Sequence, residues 1–110
     1  MGARQFNWLL DALSASRAPF KIVVGGGQFL SPYDHFEGYA QAPHEQRRLI
    51  KSIVDRRIPG VVFLSGDRHH SELVKISRPN FYPLYDFTSS PLTSRGASAS
   101  RELESVVRVP

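Results

Sequence analysis

Phe6, Leu9, Leu10 and Leu13 recur at helical spacing and predict a first helix with one apolar stripe. Trp8 and Ala12 lie off that stripe and widen the face. The pattern breaks between Ser14 and Ala18, and Pro19 prevents the helix from continuing. Lys21-Ile22-Val23-Val24 predicts a short strand, ended by Gly25-Gly26-Gly27, which lets the backbone turn tightly or approach a ligand closely. Gln28 to Gln41 has neither period, yet Tyr33, Phe36 and Tyr39 argue for an ordered lid or rim. Pro43 suits the first turn of a second helix. Leu49, Ile50, Ile53 and Val54 form its buried face, with Arg47, Arg48 and Lys51 outside. Arg56 and Arg57 fall in its expected last turn, where cations complement the helix dipole. Pro59-Gly60 then breaks the chain.

Val61-Val62-Phe63-Leu64-Ser65 is a run of mostly β-favouring residues and reads as a strand buried on both faces. The order helix, strand, loop, helix, strand implies a crossover and parallel pairing, hence an α/β fold. Glu72 to Ile76 and Tyr82 to Thr88 read as two further strands, paired antiparallel through a turn at Arg78-Pro79-Asn80. Pro83 fits only near the start or on an edge of its strand. Thr93 to Ser100 is rich in Ser, Ala and Gly and reads as mobile. Glu104 to Pro110 can begin one more strand, with no partner evident from the sequence.

With 110 residues the chain fits one domain, and 41% hydrophobic residues with seven Phe, four Tyr and one Trp suffice for a real core. It has no cysteine, which rules out disulfides and thiolate metal sites. The net charge of +4 is scattered. The one basic cluster, Arg47, Arg48, Lys51, Arg56 and Arg57, reads as a solvated helix face rather than a nucleic-acid surface. No apolar run approaches the roughly 20 residues of a membrane span, and no signal-peptide core follows Met1-Gly2-Ala3-Arg4-Gln5.

Candidate chemistry follows the buried strand directly, at Gly66-Asp67-Arg68-His69-His70. In open α/β folds, sites collect at the carboxyl ends of strands. Asp67 and His69 are two apart, so in an extended backbone both leave the same side, a spacing that suits two ligands of one metal or of neighbouring metals. His70 would then face elsewhere, toward substrate or as a proton donor to a leaving group. An Asp after a strand is often only a turn residue, and a lone His is usually structural. Two histidines beside an Asp shift the balance toward a site. A metal centre normally needs three or more protein ligands, and His35, His44, Asp34, Glu37, Glu45 and Asp86 stand at no recognisable spacing. The three glycines lack the Lys-Ser/Thr pair of a phosphate loop. Ser65 and Ser71 are hydroxyl candidates for a metal-free hydrolase with His69 or His70, but no Gly-x-Ser-x-Gly elbow is present.

The stretch from Val61 to Leu73, followed by Tyr82-Pro83-Leu84-Tyr85-Asp86-Phe87-Thr88-Ser89-Ser90-Pro91-Leu92, resembles the C-terminal part of PhoD-like alkaline phosphatases, within the calcineurin-like metallophosphoesterases. Gly2 to Leu9 is similar to the helix that family places ahead of this region. The resemblance implies part of a four-layer α-β-β-α sandwich over residues 1–92, with 93–110 a mobile segment and an incomplete terminal strand. It also implies hydrolysis of phosphate esters at a two-metal centre of iron, calcium, zinc or manganese. His69 matches the second histidine of the family's last metal motif, and Asp67 takes the place of its first, an exchange usual in this branch. Arg68 and His70 are the implied phosphate contacts. Gly25-Gly26-Gly27-Gln28 stands where relatives often carry another metal-binding histidine.

The family's earlier motifs, an Asp-x-His, a Gly-Asp with further acids and a Gly-Asn-His, do not occur in these residues. The expectation is a fragment inactive alone, acting on a phosphate ester only as part of a larger enzyme. The alternative is a non-catalytic α/β module binding an anion or a protein through the basic helix. Relatives are commonly exported. A truncated sheet would also expose the edges of Lys21–Val24 and Val61–Ser65, inviting self-association.

Overall fold

The computed structural model describes residues 1–31, 42–68, 71–89 and 106–108. Phe6, Leu10 and Leu13 are the buried residues of helix α1 (Ala3–Ala15), while Trp8 stays two-thirds exposed. Strand β1 (Lys21–Val24) has the expected bounds. Helix α2 (Pro43–Asp55) starts on Pro43 and buries Leu49, Ile50 and Ile53, with Val54 at the margin. Strands β2 (Val61–Ser65), β3 (Glu72–Ile76), β4 (Leu84–Thr88) and β5 (Val106–Arg108) complete the order.

The five strands form one mixed sheet in the order β1-β2-β4-β3-β5. β1 pairs parallel to β2, and β2 parallel to β4. β3 runs antiparallel to both β4 and β5. The terminal strand therefore does have a partner, β3, which the sequence did not reveal. β2 lies between β1 and β4, so it has no open edge; of the two strands expected to expose edges, β1 alone stands at the end of the sheet.

Strand alternation sets the layers. Val23, Val61, Phe63, Val74 and Leu84 share one sheet face and join Phe6, Leu10, Leu13, Leu49, Ile50 and Ile53 in a single core, so both helices cover that face. Ile22, Val24, Leu64 and Phe87 project from the other face and are 60%, 72%, 37% and 45% exposed. The reading of β2 as buried on both faces is thus corrected. Its apolar run is continuous, but among the described residues only one face of the sheet has a layer packed on it.

Arg56 and Arg57 do not lie in the last turn of α2. Arg56 is the C-cap, and Arg57 follows in the left-handed conformation at φ +51°. The Arg57 amide donates to the Val54 carbonyl and the Ile58 amide to the Ile53 carbonyl, both at 3.1 Å. This is the Schellman pattern, completed by contact-prone Ile53 and Ile58, both buried. Glycine normally occupies that left-handed position because a Cβ is strained there. Arg57→Gly is therefore expected to raise stability by about 0.5–1 kcal/mol; urea denaturation showing a loss instead would mean the arginine side chain contributes more than its backbone strain costs.

The end of the sheet at the amino termini of β1 and β2 is held by side chains. Lys21 is buried, and its Nζ donates to the carbonyls of Ala18 (2.9 Å) and Pro59 (3.0 Å). The Tyr82 hydroxyl donates to the Ile58 carbonyl at 2.7 Å and accepts from the Val61 amide at 3.0 Å. Burial pushes the Tyr82 phenol up from its ordinary pKa, against the lowering effect of the Val61 amide. The phenol is thereby kept in the form that can donate.

Candidate functional site at the carboxyl edge of the sheet

Because β1, β2 and β4 are mutually parallel, the loops that follow them converge on one edge. The Gly25 amide donates to the Leu64 carbonyl at 3.0 Å, Gly66 to Gly26 at 3.3 Å, and Ser89 to Ser65 at 3.1 Å. A Cβ on Gly25 would stand 2.5 Å from the ring of Phe29. Its absence lets that ring fold back beside Phe63, with centroids 4.9 Å apart. β3, running the other way, begins at this edge with Glu72.

Beneath the edge lies a buried polar network. Arg68 is 7% exposed, and its Nη1 donates to Gln28 Oε1 and, at 3.4 Å, to Glu72 Oε1. Gln28 Nε2 donates to Glu72 Oε1 and to Thr88 Oγ1, the latter at 2.8 Å. Thr88 Oγ1 meets Ser65 Oγ at 2.9 Å, and Ser65 Oγ donates to Asp86 Oδ1 at 2.6 Å. Asp86 Oδ2 accepts from the amides of Phe29 (2.7 Å) and Leu30 (3.1 Å). Gln46 of α2 donates to the Phe29 and Ser31 carbonyls at 2.8 and 2.9 Å. Burial of charge without such partners would be prohibitive, so the network is what allows Arg68, Glu72 and Asp86 to sit inside.

Burial pushes the Asp86 carboxyl above its ordinary value; the bonds from Ser65, Leu30 and Phe29 oppose that, and nearby Glu72 adds to it. The Arg68–Glu72 pair lies in the same network, with side chains 5% and 0% exposed.

The sequence-predicted residues separate in this frame. Asp67 is exposed and has φ +59°. The strand does not continue through it, so the extended backbone that the spacing of Asp67 and His69 presumed is absent at Asp67. The left-handed turn swings Asp67 outward while Arg68 goes in. Arg68, expected to contact phosphate, has its guanidinium among Gln28 and Glu72 beneath the edge. His69 and His70 lie outside the described residues, as does the lid expected over 32–41. Ser65, a hydroxyl candidate, is committed to Asp86 and Thr88. Among the described residues no three His, Cys, Asp or Glu side chains gather as a metal site.

Gln28, Glu72 and Thr88 were not singled out from sequence. The available signal was one carboxylate at an inward position of each of β3 and β4, Glu72 and Asp86, where alternation otherwise places Val74 and Leu84. Of the basic cluster, Arg48 covers the Phe6 ring at 4.7 Å, Arg56 bonds Asp11 and Ser14 of α1, and Lys51 pairs with Asp55. These contacts spread the cluster over the α1–α2 surface.

A mixed sheet with a helical layer on one face and convergent loops at one strand edge defines an α/β architecture. The family model for PhoD-like phosphatases matches residues 1–109. The chain belongs to the PhoD-like phosphatase family. A solved structure described as "Structure of PhoD" superimposes with a TM-score of 0.71 at 21% identity, over 84% of this chain and 20% of that one. The likeness supports the fold, and the chain spans about a fifth of the length of that structure. No curated protein matches the sequence. No helix among the described residues is long and apolar enough to cross a membrane.

Proposed function

We propose that this chain is the C-terminal portion of a phosphoric ester hydrolase, with residues 1–92 as its part of the catalytic domain, and that it contributes Asp67 and His69 to a metal centre completed by groups beyond these residues. The observation that carries the reading is the placement of Asp67, exposed on a left-handed turn at the carboxyl edge, in a chain of the PhoD-like family. Bound metal ions would polarise the phosphoryl group and supply a hydroxide nucleophile. One exposed carboxylate among the described residues is not a metal site, so the fit is partial and the chain supplies only a share of the donors.

What the chain itself does is position. Arg68 anchors the turn from below through Gln28 and Glu72, which fixes where Asp67 emerges. His70 is the candidate for substrate contact or proton donation. Export from the cytoplasm goes with the family resemblance. The alternative, a binding module using the basic helix, gains nothing from the structure, since Arg48, Lys51 and Arg56 are engaged within the chain.

Incubated with p-nitrophenyl phosphate mono- and diesters and added Fe, Mn, Zn or Ca, the 110-residue chain is expected to give no turnover that His69→Ala removes. His69-dependent turnover would show that these residues suffice. In a polypeptide that joins this segment to the family's earlier motifs, Asp67→Ala and His69→Ala are each expected to lower kcat/KM about 100-fold or more. Unchanged turnover in both variants would sink the assignment of the turn.

A further inference from the structure

Ser65, Thr88 and Glu72 are register neighbours in one row across β2, β4 and β3, the last inward row before the carboxyl edge. All three are buried, so each polar group in the row needs a partner. Part of that need is met from the loop after β1. Gln28 is buried against the row, and its side-chain amide meets three groups at once. Its Oε1 accepts from Arg68 Nη1, and its Nε2 donates to Glu72 Oε1 and, at 2.8 Å, to Thr88 Oγ1. Both hydrogens of the amide nitrogen are thus set against acceptors and its oxygen against a cation. Charge dictates which end of the amide points where. A reversed amide would turn its NH2 toward the guanidinium and its oxygen toward the carboxylate.

Arg68 and Glu72 are also the two ends of the connection between β2 and β3, with three residues between them in the chain. Arg68 follows Asp67 directly. Asp67 stands at φ +59°, a conformation that an L side chain adopts with strain and keeps where its surroundings hold it. Arg68 and Glu72 meet each other at 3.4 Å, and the Gln28 amide adds a second bridge between them with a fixed sense. Through Thr88 the same amide ties both ends of the connection to the centre of the sheet.

We infer that Gln28 is a positioning residue for the Asp67 carboxylate: by bridging Arg68 and Glu72, its amide sets the turn that carries Asp67. The consequence for a metal ion rests on the proposed role of Asp67, whereas the hold on the turn does not. The charge pattern supplies a specific test. Gln28→Glu sets two carboxylates against each other, and Glu72→Gln takes the anion from Arg68, so each alone disrupts the bridge. Made together, they exchange amide and carboxylate across one contact and leave the net charge unchanged. The new carboxylate then accepts from Arg68 and from the new amide, and the Thr88 hydroxyl can turn to donate to it. A side chain that merely fills space would give additive losses instead of recovery.

Backbone 15N relaxation of the full 110-residue chain is expected to give order parameters near ~0.85 at the Asp67 and Arg68 amides, falling below about 0.6 in Gln28→Leu, Gln28→Glu and Glu72→Gln. The double variant Gln28→Glu/Glu72→Gln is expected to return them to the wild-type value. Ile53→Val, which loosens the core beside the Arg57 turn, is expected to leave them unchanged. In a polypeptide that joins this segment to the family's earlier motifs, Gln28→Leu is expected to weaken metal affinity about 10–100-fold, read by competition with a chelator, and the double variant to restore it. Low order at Asp67 in the wild-type chain, or unchanged order in Gln28→Leu, overturns the proposal. Should the single variants fail to fold, the double variant decides: wild-type order in it supports the bridge, and loss of fold or order overturns it. Metal affinity lowered by Asp67→Ala but not by Gln28→Leu overturns the positioning role. Order lost in Gln28→Leu with metal affinity unchanged in Asp67→Ala upholds the hold on the turn and removes Asp67 from the metal centre.

Discussion

Gly60→Ala is expected to cost about 3–4 kcal/mol of stability, among the largest effects of any single methyl group in this chain. Gly60 has φ +70°, a conformation that an L side chain adopts only with strain. Its Cβ would stand 2.0 Å from the Pro19 carbonyl oxygen, 2.9 Å from the Pro19 carbonyl carbon and 3.2 Å from the Phe20 Cα. None of these is a side chain that can rotate away. Relief would require moving Pro19–Phe20, yet the Lys21 amide donates to the Gly60 carbonyl at 2.8 Å, and Lys21 Nζ ties Ala18 to Pro59. Separating the two backbones would therefore break the start of the β1–β2 ladder. Urea denaturation with circular dichroism checks the value. A loss under 1 kcal/mol would show that this junction is far softer than its hydrogen bonds indicate.

Asp86→Ala is expected to cost a further 3–5 kcal/mol class of penalty, for a different reason. It removes the acceptor of Ser65 Oγ and of the Phe29 and Leu30 amides, leaving three donors facing a cavity in the protein interior. Asp86→Asn should cost only about 1 kcal/mol. The amide oxygen can still accept from both backbone amides, and Ser65 can reverse to accept from the new NH2 while donating to Thr88. The same pair of variants reads out the carboxyl. With its folded pKa raised, Asp86 holds its proton more tightly folded than unfolded. Wild-type stability relative to Asp86→Asn should rise as pH falls from above the raised pKa toward the ordinary carboxylate value, and stay level outside that window. A rise in the opposite direction would mean that the bonds from Ser65, Phe29 and Leu30 outweigh the burial.

How far these features could be read from the sequence varies with the physics behind them. Both helices, β1 to β4, the parallel β1–β2 pair and the β3–β4 hairpin follow from periodicity punctuated by Pro19, Pro43, Pro59-Gly60 and Arg78-Pro79-Asn80. These are local signals. The Asp67 turn was legible as a place for chemistry because its residue types are unusual after an apolar strand. Its geometry was not legible: alternation presumes extended backbone, and a left-handed Asp67 sends its neighbours to other sides. The network was hidden for a related reason. Arg68 resembles any surface arginine until Gln28, forty residues earlier, and Glu72 are known to meet it. β5 was legible as a strand but not its pairing with β3, because register between distant strands leaves no mark on either one alone. Whether an apolar strand such as β2 is covered on one face or two depends on what else is present, and residue type cannot decide it.

The segment Gln28–Ser31 is held from opposite sides. Asp86 and Thr88 grip it from the central strand, and Gln46 grips two of its carbonyls from α2. The helix, the loop after β1 and the centre of the sheet are thus tied to one another through side-chain hydrogen bonds. Gln46 thereby braces the loop beside the rim where Asp67 stands, although α2 contributes no group to that rim.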